Sequence, residues 1–212
     1  MGCCTGFGVP VAKYFGANNL HKMRKYIFNG AVLTGIIALI VTIVCSVCCN
    51  QILHLLSVPQ DIYDKAYAYL IVIFLGIPFT LMYNYLSSVL RSLGDSRTPF
   101  MFLAFSAILN IFLDLFCIVV LKWDCAGAAI ATIMAQAVSG ILCLVYIFKK
   151  VQIMHLEAKD REIEGSAVKE LLVMGIPTGL QFSITAIGSM VMQSANNKLG
   201  SVYVSGFTAG MR

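Results

Sequence analysis

The sequence predicts an all-α integral membrane protein: a polytopic transmembrane helix bundle with five complete spans and two partial terminal spans. Two observations carry this. Of the 212 residues 59% are hydrophobic and 12% charged, at a mean hydropathy of +0.85, whereas a soluble domain is typically about 25% charged. The charges are also bunched, with none between Lys25 and Asp61, Lys65 and Arg91, Asp124 and Lys149, or Glu170 and Lys198. Each gap exceeds the roughly 20 apolar residues with which a helix crosses a bilayer. A water-soluble enzyme, a nucleic-acid binder, a secreted disulfide scaffold and a disordered tail are excluded at this level.

The elements follow in order. Residues 1–12 are apolar and glycine-rich but too short to cross. Full spans are drawn over 27–49, 67–90, 98–121, 126–148 and 171–195, and 199–211 is again uncharged before Arg212. Both ends read as spans cut in mid-helix, so a piece of a longer chain is expected, with Met1 an internal methionine or a miscalled start. Helices satisfy their own backbone in lipid; the ten-residue alternation of a membrane β-barrel is nowhere sustained. Pro78 and Pro177, each in Gly-Ile-Pro, predict kinks. The stretch from Gly94 to Pro99 reads as a tight turn, with Asp95 and Ser96 as caps and Pro99 in the first turn of the next helix. The segment 149–170 is charged and mixed in sign (Glu157, Lys159, Asp160, Arg161, Glu162, Glu164). It reads as an amphipathic cytoplasmic linker separating 1–148 from 171–212.

Lysine and arginine alternate by connector. Four lie in the first (Lys13, Lys22, Arg24, Lys25), then Lys65 alone, then Arg91 and Arg97, then Lys122, then five from Lys149 to Lys169, then Lys198. Alternate connectors hold eleven against three, and the positive-inside rule makes the richer side cytoplasmic. The net charge of +5 is thereby explained without a nucleic-acid partner. Seven of the eight cysteines sit in or beside apolar segments. Cys45, Cys48 and Cys49 lack the histidine or second cysteine pair of a zinc site and read as small apolar filler. His21, His54 and His155 lie in connectors or at span ends and suggest no metal site. The opening Met-Gly-Cys-Cys resembles a lipidation signal, but Gly6 stands where myristoylation needs Ser or Thr. With no basic start, short apolar core and cleavage site, no secretory signal is expected.

Asp114 is the residue that does not belong in lipid. It sits in the Leu103–Leu121 apolar run, where a carboxylate costs roughly 2.5–3.5 kcal/mol on insertion scales, so a cavity or a partner is expected beside it. Asn110 lies one turn earlier on the same helix face. Thr132 follows Asp114 by eighteen residues, with Trp123 midway in the external turn. Folding back at that turn puts both about nine residues, ~13 Å, from it. Asn110, Asp114 and Thr132 are therefore expected to converge as oxygen ligands for a proton or a hard cation such as sodium. The plainer reading of Asn110 or Thr132 alone is polar glue between helices. Asn84 and Ser87, which share a face before Arg91, and Gln181, after Pro177, carry two readings: lining of a water-filled cavity, or an interhelical hydrogen bond. Gly127, Ala128, Ala129 and Ala131 offer a small-residue packing face. No phosphate loop, zinc motif, serine elbow or intramembrane His–Asp pair appears, so no enzyme is expected.

Four blocks in order resemble a known family. Val9 to Ala17 (VPVAKYFGA), Leu90 to Pro99 (LRSLGDSRTP), Leu109 to Asp114 (LNIFLD) and Gly127 to Thr132 (GAAIAT) are similar to segments of the multidrug and toxic compound extrusion (MATE) transporters. These belong to a superfamily that also holds polysaccharide and lipid-linked-precursor flippases. The resemblance implies twelve helices in two six-helix lobes, with this chain running from the end of helix two to the start of helix eight. Residues 1–148 would form most of the N-terminal lobe without helix one, 149–170 the cytoplasmic inter-lobe linker, and 171–212 the start of the C-terminal lobe. It implies a secondary active multidrug efflux antiporter that exports organic cations or amphipathic drugs in exchange for protons or sodium by rocking of the lobes. The alternative is a flippase of the same superfamily, which predicts cationic residues lining the cavity; the spans hold none, Arg212 aside. Asn110, Asp114 and Thr132 match the family's N-lobe cation site, which implies Asp114 as ion-coupling carboxylate and Asn110 and Thr132 as auxiliary ligands. Two departures stand out. The first helix, which usually supplies a second carboxylate, is absent, and the seventh helix carries only Gln181 and Gln193 where one subgroup has a glutamate. Beyond the coupling ion no cofactor is implied. The implied partners are the lipid bilayer and cationic or amphipathic small molecules, the implied state is a monomer when full length, and the implied location is multi-pass in a bacterial cytoplasmic membrane.

Overall fold

The computed structural model describes residues 2–55, 60–121, 123–151, 160 and 162–198. Among them the regular elements are helices: α1 (Gly2–Gly16), α2 (Leu20–Val47), α3 (Cys49–Leu55), α4 (Gln60–Leu75), α5 (Ile77–Ser92), α6 (Arg97–Leu115), α7 (Asp124–Lys150) and α8 (Gly165–Lys198). A π-helical segment, Phe116–Val120, extends α6. Four of the helices are long and apolar enough to cross a bilayer, and α4 with α5, bent by 41°, passes the same test as a pair. Four of the five apolar runs of the sequence thus fall on single helices of spanning length, and the second falls on the bent pair. The break falls at Gly76, with Pro78 in the first turn of α5, where an absent N–H leaves no intrahelical bond unmade. At Pro177 the other proline lies inside α8, which continues as one helix to Lys198.

Local chemistry sets the ends. Asn19 caps α2 by accepting the Lys22 N–H at 3.2 Å. In the turn before α6, Gly94 takes φ +89°, a left-handed conformation that glycine adopts without strain. Asp95 accepts the Thr98 N–H at 3.0 Å, while Ser96 at the cap position makes no side-chain cap bond. Of the two caps expected there, the aspartate does the capping. Burial pushes the Asp95 carboxyl up, but hydrogen bonds from Thr98 and Tyr146 outweigh it and hold the group below its usual value.

The buried core gathers where α1, α2, α5, α7 and α8 meet, around Phe7, Val11, Met23, Val89, Leu90 and Leu171. These positions lie toward the face that carries the lysine and arginine excess. Farther from that face, isoleucine, leucine and phenylalanine of α2, α6 and α8 are exposed, as suits side chains solvated by lipid rather than by protein. Helix α1 packs against α8 through glycine: a Cβ on Gly6 would stand 2.6 Å from Met174 O and 2.7 Å from Gly175 Cα. That approach brings the two backbones together as small-residue interfaces do.

A polar clamp fastens the start of α8 to the α1–α2 elbow. Lys13 Nζ lies 3.0 Å from Glu170 Oε1, and Tyr26 donates its hydroxyl proton to the same carboxylate. His21 Nδ1 is 2.7 Å from Asp160 Oδ1, with Arg24 3.8 Å from the other oxygen. Lys25 stands 3.5 Å from Glu162 and 3.6 Å from Glu164. At the centre is Asn29, only 1% exposed. Its amide donates to Lys25 O at 2.8 Å and Glu162 O at 3.1 Å, and its oxygen accepts the Glu164 N–H at 3.1 Å. The linker expected over 149–170 is therefore helical at both ends and pinned over 160–170. Its residues 152–159 and 161, among them His155, Glu157, Lys159 and Arg161, lie outside the described residues, as do 199–212 with Arg212.

Candidate functional site: the seam between α6 and α7

Helices α6 and α7 form an antiparallel hairpin whose shared face is polar at successive turns. Ser139 Oγ donates to Phe102 O at 3.0 Å, Ser106 Oγ to Ala135 O at 2.8 Å, and Asn110 Nδ2 to Thr132 Oγ1 at 3.5 Å. Thr132 Oγ1 in turn donates to Ala128 O, 2.9 Å away on its own helix. The small residues of α7 make the close pairing possible: Ala129 and Ala131 are fully buried and Ala135 nearly so. Asp114 stands one turn beyond Asn110, half-buried, and its Oδ1 is buried with no hydrogen-bond partner among the described residues. Directly after it the helix widens, so that the Leu121 N–H reaches Phe116 O, five residues back, at 3.1 Å. Such π segments are frequent at functional sites.

The structure thus brings Asn110 and Thr132 together and sets Asp114 beside them, with one change from the depth expected of the sequence. The three cross-helix bonds centre the hairpin near residue 121, not at Trp123. Thr132 is consequently level with Asn110, and Asp114 is level with Ala128.

The softer candidates fall elsewhere. Asn84 is half-buried and donates to Thr80 O of its own helix at 2.7 Å. Ser87 is buried, at 2% exposure. A cavity of about 400 Å³ between α2, α5 and α7 is walled by Thr34, Ala38, Pro78, Met82, Tyr85 and Leu144, and neither Asn84 nor Ser87 is part of that wall. Gln181 is exposed on α8. Sequence reasoning missed Gln136, whose Oε1 is buried and, like Asp114 Oδ1, without a partner among the described residues. Its spacing was the available signal, since it follows Thr132 by one turn.

Chemically, the seam presents a carboxylate, an amide and a hydroxyl in apolar surroundings. Oxygen donors of this kind suit a proton or a hard cation, and a buried acceptor lacking a donor is costly until something supplies one.

Comparison with known proteins identifies the family. The MatE family model matches residues 1–116, more than half of the chain. Over 161 residues the chain is 38% identical to a protein of Bacillus subtilis (strain 168) named "Probable multidrug resistance protein YpnP", covering 76% of this chain and 36% of that protein. It is 29% identical over 215 residues to "Probable multidrug resistance protein NorM" of Thermotoga maritima, covering 97% of this chain and 45% of that protein. Among solved structures, an outward-facing multidrug resistance MATE family transporter of the MOP superfamily superposes with TM-score 0.87 at 22% identity, over 100% of this chain and 47% of that one. A MATE structure in a bent conformation superposes at 0.89 with 22% identity, over 100% of this chain and 48% of the other. At such identities the superpositions speak for the helical fold. The chain spans less than half the length of the curated relatives it matches.

Proposed function

The chain belongs to the MatE family, and on that premise we propose that the complete gene product is a secondary active multidrug efflux antiporter. In this reading it exports organic cations or amphipathic drugs in exchange for protons or sodium, by alternating access. The observation that carries the reading is Asp114: a carboxylate oxygen without a partner, in a membrane-spanning helix, beside the Asn110–Thr132 pair. The names of the relatives as multidrug resistance proteins support the substrate class. Residues 1–148 belong to the first lobe, 149–170 to the inter-lobe linker and 171–212 to the second lobe. The protein works as a monomer in a bacterial cytoplasmic membrane.

The mechanism follows from the cost of the bare charge. An ionised carboxylate inside the bilayer costs roughly 2.5–3.5 kcal/mol, so a proton or sodium ion arriving at Asp114 is stabilised there. Asn110 donates through Nδ2 to Thr132, which leaves its amide oxygen as an acceptor, and Thr132 holds its hydroxyl oxygen beside it. Both serve as auxiliary ligands for a cation, or as fixed dipoles around a protonated acid. An ion that binds one lobe arrangement more tightly than the other shifts the equilibrium between them by that difference. Occupancy by the ion removes the charge that holds a cationic drug, so ion entry and drug release are coupled. A flippase of the same superfamily is the alternative; the seam's own ionisable side chain is acidic, which favours a cationic cargo.

The test is ethidium efflux from vesicles under an imposed proton or sodium gradient, using the complete gene product. Asp114→Asn is expected to lower gradient-driven efflux at least tenfold while the protein's thermal stability holds or rises. Efflux equal to wild type overturns the role of Asp114.

A further inference from the structure

The cavity of about 400 Å³ between α2, α5 and α7 lies apart from the α6–α7 seam, and one atom of its wall is anomalous. Inside these helices a serine or threonine hydroxyl donates to the carbonyl four residues back, as Thr80, Ser92, Thr132 and Thr178 do. Otherwise it donates across to a neighbouring helix, as Ser106 and Ser139 do. Thr34 does neither. It is 5% exposed, and its Oγ1 is buried without a hydrogen-bond partner among the described residues. Thr42 and Ser46 of α2 share that condition, but neither borders the cavity. The second hydroxyl of the wall, on Tyr85, donates to Ile27 O at 2.6 Å.

The wall defines what fits. A buried water needs about two to four polar partners, and one hydroxyl among Ala38, Met82, Leu86 and Leu144 does not hold it. No wall residue is charged, so an ion would be desolvated there without compensation. Leu39 and Leu144 of the wall are exposed on the apolar surface, which opens the cavity toward lipid. A phospholipid chain nevertheless leaves Thr34 bare. Thr34 follows Lys25 by nine residues, ~13 Å of helix, near the middle of a hydrocarbon layer about 30 Å thick, where acyl chains carry no polar atom. For scale, an apolar cavity of about 150 Å³ takes benzene, so this one has room for two rings. We infer that the cavity is a binding site for neutral lipophilic molecules of about two-ring size with one hydrogen-bond acceptor, which enter from the bilayer and are held by the Thr34 hydroxyl. Pro78 belongs to the same wall, so the occupant lies against the first turn of α5, beside its bend with α4. The site is independent of Asp114 and of the transport reading.

The experiment uses the complete gene product in proteoliposomes and benzophenone, a neutral diaryl ketone that crosslinks to nearby C–H bonds on irradiation. Peptide mass spectrometry is expected to find saturable label concentrated on Met82, Leu86 and Leu144. Two competitors, 9-fluorenone and fluorene, share their rings and differ in the ketone oxygen. The ratio of their potencies should fall about fivefold from wild type to Thr34→Val, the factor associated with one neutral hydrogen bond. Comparing ratios cancels the difference in their membrane partitioning. A second variant, Gly35→Leu, fills the cavity: Gly35 is part of the wall, and a Cβ there meets nothing within 4 Å. It should keep the melting temperature and lower the label on Met82 at least fivefold. Label spread over Ile36, Ile40 and Ile43 and indifferent to Gly35→Leu overturns the site, leaving partition into lipid only. Absence of label from the wall also overturns it, by showing that lipid or another part of the complete protein fills the cavity. An unchanged competitor ratio in Thr34→Val overturns the role of the hydroxyl, as does a lowered melting temperature in that variant, which makes Thr34 structural.

Discussion

The clamp over 160–170 and the seam between α6 and α7 are both polar assemblies in a chain that is 59% hydrophobic, yet they are built to opposite ends. In the clamp, Asn29 makes three hydrogen bonds while almost fully buried, and carboxylates of the linker face cations of the elbow within 4 Å. In the seam, the cross-helix bond from Asn110 stretches to 3.5 Å, and two acceptors have no donor among the described residues. A satisfied buried network fixes one arrangement of the chain. An unsatisfied one costs stability and is retained for what it can bind. The contrast separates polar residues whose hydrogen bonds are met within the described chain from those whose bonds are not.

Substitutions can break that comparison. The largest effect on stability is expected at the clamp. Asn29→Leu strands the Glu164 N–H and the Glu162 carbonyl, and should cost about 3 kcal/mol. The corresponding change in the seam, Asn110→Leu, should cost no more than about 1 kcal/mol, because interhelical bonds in membranes are individually weak. Thermal unfolding of both purified variants measures the difference. If Asn110→Leu proves the more damaging, the seam is structural and the contrast collapses.

A smaller effect sharpens the picture at the turn before α6. Asp95→Ala removes the cap on Thr98 and should cost about 1 kcal/mol at neutral pH. The Asp95 carboxyl is held below its usual value in the fold. Its contribution is therefore full above the unfolded value, near 3.9, and is lost as pH falls through the lower folded value. Wild type and variant should differ at pH 7 and converge in acid, once the pH is below the lowered folded value, as read from melting temperatures across the series. A gap that persists into acid shows that packing, and not the carboxylate, stabilises the turn. The smallest effect belongs to Lys25→Gln. Glu162 and Glu164 are 72% and 50% exposed, and ion pairs with such solvated partners are worth less than about 1 kcal/mol.

Much of the fold was legible without coordinates, for reasons that differ between elements. Span positions depend on the length of uninterrupted apolar sequence, a local property, and α2, α6, α7 and α8 lie where the hydropathy puts them. Gly76 and Pro78 announced the bend between α4 and α5 through backbone chemistry that is equally local. Asp114 was visible as an outlier because a carboxylate in an apolar run is expensive wherever the run ends up. Asn29 was not visible as a clamp residue, since nothing within reach along the sequence is its partner: Glu162 and Glu164 lie more than 130 positions away.

By itself, then, the sequence determined that this is a helical membrane protein, which segments cross, which face carries the positive charge, and that Asp114 needs an explanation. Only the tertiary structure decided which residue meets which. It set Thr132 against Asn110 instead of Asp114, because the hairpin centres near residue 121 and not at Trp123. It left Gln136 as a second unpartnered acceptor, and it tied the linker to the elbow through Asn29. The physical reason is one of range. Solvation energy is summed residue by residue along the chain, whereas the pairing of hydrogen-bond donors with acceptors depends on the relative placement of helices to within about an ångström.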